Sequence, residues 1–253
     1  MLSLRLFHCL SCESSPAPYS SPLCTYCASL LIPCPDLCPT CWGHHGDSSE
    51  DAHICNIRGS IRKSFGLCSV SAMYASQGTT HEILKLWKIR GSHYLDQQIL
   101  NSKLLKQKLK QLPQMDYIVP IPQSDARKKA LRPGGSSARL GTWIHKQTGW
   151  PILNSALETE NQTFLDSLFN WNETPKKSQG TLRGHERWEN PIRFREGPQM
   201  SILAGARVLL VDDFVTTGRT LGAARQLLQA LGCARSIHGF SLGIRLLWER
   251  NIE

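Results

Sequence analysis

The spacing of apolar and polar positions changes at a few definite places along the chain, and those changes divide it. From residue 1 to about 70 there is no helical period: Cys, Pro and Ser dominate, and the apolar residues are too scattered to make a core of their own. From Tyr74 the character changes. HEILKLWKIRG places Ile83, Leu84, Leu86 and Trp87 on one side of a helix with Lys85, Lys88 and Arg90 opposite. A second helical stretch runs from Leu95 to Leu112, and Pro113 ends it. MDYIVPIP then reads as a short β-branched strand closed by Pro122, followed by the basic loop SDARKKALRPGGSS and by a helix, ARLGTWIHKQTG, that stops at Gly149. Residues 154 to 200 have little periodicity and many polar groups, as expected of a long loop with one helix and a flap-like excursion, of the kind that is either functional or disordered. The last part reads strand, loop, helix, Gly232, strand: RVLLV is the continuous apolar run of a strand buried on both faces, and TLGAARQLLQALG is amphipathic.

Strands alternating with helices predict an α/β domain, a mostly parallel sheet with helices on its faces. The expected organisation is a cysteine-rich module over residues 1–70 and an α/β domain over 71–253. At 253 residues the chain is long enough for one such domain and a small appendage. Its formal net charge of +9 and pI of about 9.2 favour polyanionic partners: nucleic acid, a phosphorylated metabolite or an anionic membrane. No apolar run approaches the roughly 20 residues of a spanning helix. The start, MLSLRLFHCLSCESS, carries Arg5 and His8 inside its apolar run and shows no small-residue cleavage site, so no signal peptide is read and a soluble, cytoplasmic protein is expected.

Eight of the ten cysteines fall within the first 55 residues. Cys9-x2-Cys12, eleven residues, then Cys24-x2-Cys27 is a four-thiolate pattern at zinc-ribbon spacing, in which each CxxC turn presents two sulfurs to one tetrahedral ion. A structural zinc there would supply folding energy that this segment's sparse core cannot. Cys38-x2-Cys41 begins a second ribbon whose partner pair is damaged, since Arg58 stands where the cysteine after Cys55 is expected. Cys55 with His53, or with His44 or His45, completes a second site, or the pair is an unfilled relic. Cys34, Cys68 and Cys233 read as ordinary thiols.

The densest chemistry is VLLVDDFVTTGRTL, residues 208–221. Threonine hydroxyls, a glycine and the unpaired amides of a helix N-terminus form an anion cradle suited to phosphate at the carboxyl end of a parallel strand. Asp212 and Asp213 would repel a phosphate. They can accept hydrogen bonds from sugar hydroxyls, or hold a Mg2+ shared with phosphate or sugar oxygens. An acid pair beside a phosphate cradle describes a phosphorylated ribose.

This stretch resembles the signature of type I phosphoribosyltransferases, in which two acids end a strand and the following loop grips the 5-phosphate of phosphoribosyl pyrophosphate (PRPP). The resemblance places the acids on Asp212 and Asp213 and the phosphate loop on Val215, Thr216, Thr217, Gly218, Arg219 and Thr220. It also implies Mg2+ on the leaving pyrophosphate.

DYIVPIPQSDARKKALRPGGSSARLG is similar to a narrower relative, the ComF family of competence-associated proteins, where a Pro-x-Pro strand precedes a basic turn and Arg-Gly-Phe-Asn-Gln. The family's arginine falls on Arg132 and its next four residues on Pro133, Gly134, Gly135 and Ser136, so only the arginine survives. A Pro-Gly-Gly-Ser turn still presents amides to pyrophosphate. KKSQGTLRGHERWENP resembles the family's Gln-x-x-Leu, Arg, x-x-Asn sequence, which makes Gln179 and Arg187 candidate lid residues. Lys88 stands at the family's Lys-Tyr position, with Ile89 replacing the tyrosine.

Three functions are compatible with these residues. One is transfer of phosphoribose to a nucleobase or other nucleophile, with Asp212, Asp213 and Arg132 as its catalytic groups. The second, implied by ComF, is handling of single-stranded nucleic acid during DNA uptake, as a peripheral partner of an uptake complex; Trp87, Trp143 and Trp188 beside basic residues are stacking candidates, although core packing suits the first two better. The third is a sensor of PRPP or a nucleotide without turnover.

Overall fold

The computed structural model describes residues 8–13, 22–38, 42, 66–90, 93–100, 103–122, 135–159, 193–232 and 234–246. In chain order its elements are helix α1 (Thr25–Ser29), strand β1 (Ser69–Ala75), helices α2 (Gly78–Arg90), α3 (His93–Leu100) and α4 (Lys103–Lys110), strand β2 (Tyr117–Pro120) and helix α5 (Gly135–Thr148). Strands β3 (Leu157–Thr159) and β4 (Phe194–Glu196), a 3-10 turn (Met200–Leu203), strand β5 (Ala206–Val215), helix α6 (Arg219–Ala230) and strand β6 (Ala234–Ile244) follow.

The expected α/β architecture is present. Four strands form one sheet in the order β1-β6-β5-β2, and all three pairings are parallel. β5 lies in the middle, which explains its unbroken apolar run: Val208 and Leu210 join one core and Leu209 and Val211 the other, all fully buried. The first core is closed by Leu221, Ala224 and Leu228 of α6 together with Met200 and Leu203. The second is closed by Ile83, Leu84 and Trp87 of α2, by Ile99 and Leu105, and by Leu140 and Ile144 of α5. Asp116 fixes the start of the β2–β5 pair, accepting from the Arg207 amide at 2.7 Å and from its guanidinium at 2.8 and 3.1 Å. These hydrogen bonds hold the Asp116 carboxyl down at about 2.

Several elements differ from the periodicity. β1 is not announced by the sequence at all: SVSAMYA is rich in small residues, and its burial on both faces comes from β6 and the helices around it. β5 runs through both acids to Val215, four residues past the apolar run, because β6 continues alongside it from Asp212↔Ser241 to Val215↔Ile244. Within 154–200 the described residues include a short antiparallel ribbon, Leu157–Thr159 against Phe194–Glu196.

Both outer strands are covered. Pro33 bridges antiparallel to Tyr74, with the Cys34 amide donating to Met73 at 2.8 Å and the Ala75 amide to Ile32 at 3.0 Å. At the other edge Ile152 bridges parallel to Ile118. Leu210→Ala should cost about 2–5 kcal/mol, the range for emptying a fully buried aliphatic site; equilibrium urea unfolding measures it, and a loss below about 1 kcal/mol would contradict the central position assigned to β5.

Candidate functional site

The site is built where β5 ends. The twofold period of the strand directs Asp212 with Val208 and Leu210, and Asp213 with Leu209 and Val211. Both carboxylates are buried, 8% and 7% exposed, so each needs donors. Lys88, from the last turn of α2, places Nζ 2.9 Å from Asp213 Oδ1 and 2.8 Å from Oδ2. Helix α5 supplies two hydroxyls from its first turn: Ser136 donates to Asp213 Oδ2, and Ser137 lies 3.4 Å from Asp212 Oδ1. The Asp213 amide also donates to Asp212 Oδ1 at 2.8 Å.

Burial foremost, and then the adjacent Asp213 carboxylate, push Asp212 up to about 7, against the opposing pull of Lys88, the Asp213 amide and Ser137. A carboxyl in this state can hold a proton or exchange it for hydrogen bonds to a polar ligand near neutral pH.

Beyond Val215 the chain turns through Thr216, Thr217 and Gly218 into α6. Gly218 is the residue before the helix and takes φ +84°, ψ −1°, a left-handed conformation that glycine adopts freely. Its carbonyl accepts the first helical bond, from Gly222 at 2.9 Å, and Thr217 Oγ1 lies 3.5 Å from the Arg219 amide. The turn therefore sets early helix amides and two hydroxyl side chains beside the acid pair, the composition of an anion cradle.

A second layer holds these donors in place. Arg139 of α5 stacks on the Trp87 ring at 4.2 Å, donates through Nη2 to the Trp87 carbonyl at 2.8 Å, and brings Nε 3.1 Å from Asp96 Oδ1 as an ion pair rather than a well-angled hydrogen bond. Trp87 Nε1 donates to the same Asp96 oxygen at 2.6 Å. Arg139 thus ties α5, which carries Ser136 and Ser137, to the turn of α2 that carries Lys88. Sequence reading missed Arg139, Asp96 and Ser137; the signal was the i, i+3 spacing of Ser136 and Arg139, visible once α5 starts at Gly135 rather than at Ala138.

The structure brings Asp212, Asp213, Val215, Thr216, Thr217, Gly218, Arg219, Thr220 and Ser136 to one end of the sheet, with Gly135 opening α5 at φ +65°. Arg132, Gly134, Gln179 and Arg187 lie outside the described residues. Trp87 is a core residue, fully buried, and Trp143 is half-buried with Lys146 Nζ 5.5 Å from its ring centre.

The four N-terminal cysteines converge as their spacing predicts. Sγ atoms of Cys9, Cys12, Cys24 and Cys27 all lie within 4.8 Å of one another, and Cys12 and Cys24 sulfurs are 3.9 Å apart. Four sulfurs ~2.3 Å from one ion sit ~3.8 Å from each other in a tetrahedron, so the set fits a single metal ion. Backbone amides already aim at the sulfurs: Cys24 N donates to Cys9 Sγ at 3.3 Å and Cys27 N to Cys24 Sγ at 3.4 Å. Burial raises the Cys9 thiol, but the amides of Cys12, Cys24 and Ser11 outweigh it and the net shift is downward. Burial pushes the Cys27 thiol up to about 12. The cluster docks on α3, where Leu23 N donates to Gln98 Oε1 at 3.1 Å. Of the second proposed set, Cys38 is half-buried, whereas Cys41, His53 and Cys55 lie outside the described residues.

In comparison with known families, residues 166–252 match the phosphoribosyl transferase domain. That span contains β4, β5, the threonine turn, α6 and β6, and excludes β1, β2, α5 and every N-terminal cysteine. No curated protein matches the chain. The parallel sheet flanked by helices is consistent with the fold of that family. Among the described residues no helix is long and apolar enough to cross a membrane.

Carbon-13 titration of the Asp212 carboxyl in ligand-free protein should give a midpoint near 7, against an ordinary value of 3.8. The folded chain then retains a proton that the unfolded chain has lost between those two values, so this group makes folding less favourable as pH rises through that window. Lys88→Met removes the opposing cation and should move the midpoint higher; a downward move would contradict the arrangement.

Proposed function

We propose that this chain binds PRPP at the carboxyl end of β5, as a ComF-like member of the phosphoribosyltransferase-related proteins. The observation that carries the reading is the placement of two buried acids and a threonine-glycine turn at consecutive positions where a central parallel strand passes into a helix, inside the span that matches the phosphoribosyl transferase domain. In this reading the amides and hydroxyls of Thr216 to Thr220 hold the 5-phosphate. Asp212 and Asp213 accept from the ribose hydroxyls, which displace the Ser136, Ser137 and Lys88 donors now satisfying them. Lys88, released from Asp213, remains as a cation for the anionic ligand.

Mg2+, if bound with PRPP, would neutralise charge on the leaving pyrophosphate, and Asp212 and Asp213 are the carboxylates that would help to hold it. Arg132 and the Gly134–Ser136 turn are assigned to the pyrophosphate end, and Gln179 and Arg187 to a covering segment. The four thiolates of Cys9, Cys12, Cys24 and Cys27 are assigned to a structural zinc with no open position. The division at residue 70 follows the same reading, with the zinc-bearing module docked on a phosphoribosyltransferase-like domain.

A second reading, single-stranded nucleic acid handling in DNA uptake, is favoured by the net charge of +9. Phosphate contacts would then give a salt-dependent affinity. Turnover separates an enzyme from a binding protein: pyrophosphate release in the presence of mixed nucleobases marks the enzyme, whereas a salt-sensitive single-stranded DNA shift without release marks the nucleic-acid module.

Titration calorimetry of PRPP with Mg2+ should show binding to the native chain and a loss of about 100-fold or more when both acids are replaced, Asp212→Asn with Asp213→Asn, since two charged hydrogen-bond acceptors are removed. Equal affinities would remove the ligand assignment. Elemental analysis should find about one zinc per chain, or two with a second filled site, and Cys24→Ser should lower the content by about one. A folded, metal-free native protein would refute the ribbon.

A further inference from the structure

Trp42 of the cysteine-rich segment reaches the phosphate turn. Trp42 is 1% exposed and shares a core with Val215 and Leu221, the residues on either side of the turn. Its backbone is held in a left-handed conformation, φ +54°, with its amide donating to the Cys38 carbonyl at 2.8 Å. An aromatic residue seldom adopts that conformation, so the surroundings must enforce it. The indole turns its Cζ3 edge towards Gly218: a methyl group added there would overlap Cζ3 and stand 3.1 Å from Cη2 and 3.2 Å from Cε3. Gly218 is therefore required twice, once by its positive φ and once by the ring behind it.

We infer that Trp42 is a positioning residue for the phosphate turn: its indole backs Gly218 and holds Thr216 to Arg219 in the conformation that presents their amides and hydroxyls to an anion. The N-terminal segment then forms part of the anion site's support, although it lies outside the span matching the phosphoribosyl transferase domain. The physical cause is packing. A turn with a left-handed glycine has many accessible conformations, and a rigid ring edge set where a Cβ would stand removes most of them without touching the ligand. The ligand side of the inference rests on the phosphoribosyl reading; the conformational side does not.

The experiment therefore reads both. Amide hydrogen exchange of the full chain without ligand should accelerate at Gly218–Leu221 in Trp42→Ala, leave the β6 amides around Phe240 unchanged, and return towards the native rate in Trp42→Phe. Calorimetry with ribose 5-phosphate as probe should show binding weakened by about tenfold or more in Trp42→Ala and nearly restored in Trp42→Phe. The two sites should also couple: the loss of thermal stability caused by Gly218→Ala should be smaller when Trp42→Ala is already present, because the overlap has gone and only the φ strain remains. Unchanged exchange at Gly218–Leu221 in Trp42→Ala, or tighter ribose 5-phosphate binding, overturns the inference; the second result would make the ring a plug rather than a support. If Trp42→Ala exchanges faster throughout the sheet, Trp42→Leu is measured against the same criteria. If the native chain binds neither ribose 5-phosphate nor PRPP while the exchange pattern holds, the phosphoribosyl reading fails and the positioning role stands.

Discussion

Two adjacent carboxylates buried at the end of the central strand constrain the rest of this molecule. Removing Asp212 and Asp213 from water is unfavourable unless donors meet them, and the donors come from two different helices. Lys88 must be at the end of α2, and Ser136 and Ser137 at the start of α5, for both acids to be satisfied. That requirement explains why Arg139 is worth burying. Its guanidinium joins the α2 carbonyl at Trp87 to Asp96 of α3, fixing the helices whose ends converge on the acids. The helices of the second core thus do more than cover β5; they bring charge and hydroxyls to where the strand leaves a deficit.

Much of this was legible because strong local signals coincided with the global arrangement. The apolar run of β5, the glycine-initiated α6 and the paired CxxC motifs each have one plausible structure, and each was found in it. What the sequence concealed was decided by neighbours. β1 reads as a weak run of Ser and Ala because its burial comes from β6 beside it. The continuation of β5 through the acids depends on β6 running equally far, which no local property of DDFV reveals. Arg139 looked like one more basic residue near a basic loop until its register on α5 was known. Trp42 had no period around it, and only tertiary packing shows that it meets residue 218.

Part of the N-terminal segment packs along the sheet. Ile32 to Cys34 occupy the outer edge of β1, and Thr80 at the start of α2 accepts from Ile32 N at 3.0 Å and donates to the Leu30 carbonyl at 2.7 Å. Together with Ile152 beside β2, this leaves neither flank of the sheet fully open for pairing with another chain. Because the same stretch follows directly on Cys27, the folding energy of a thiolate-bound metal would be delivered into the α/β domain as well as the cysteine turns.

The small ribbon of Leu157–Thr159 and Phe194–Glu196 has a different consequence. Its two strands sit one hydrogen-bonded spacing apart, so the chain leaving Thr159 and the chain returning at Phe194 are clamped together regardless of how many residues separate them. Closing a loop between fixed ends depends only logarithmically on its length, about 0.6 kcal/mol for each doubling. With Thr159 and Phe194 held side by side, the entropic cost of closing the chain between them grows only slowly with its length.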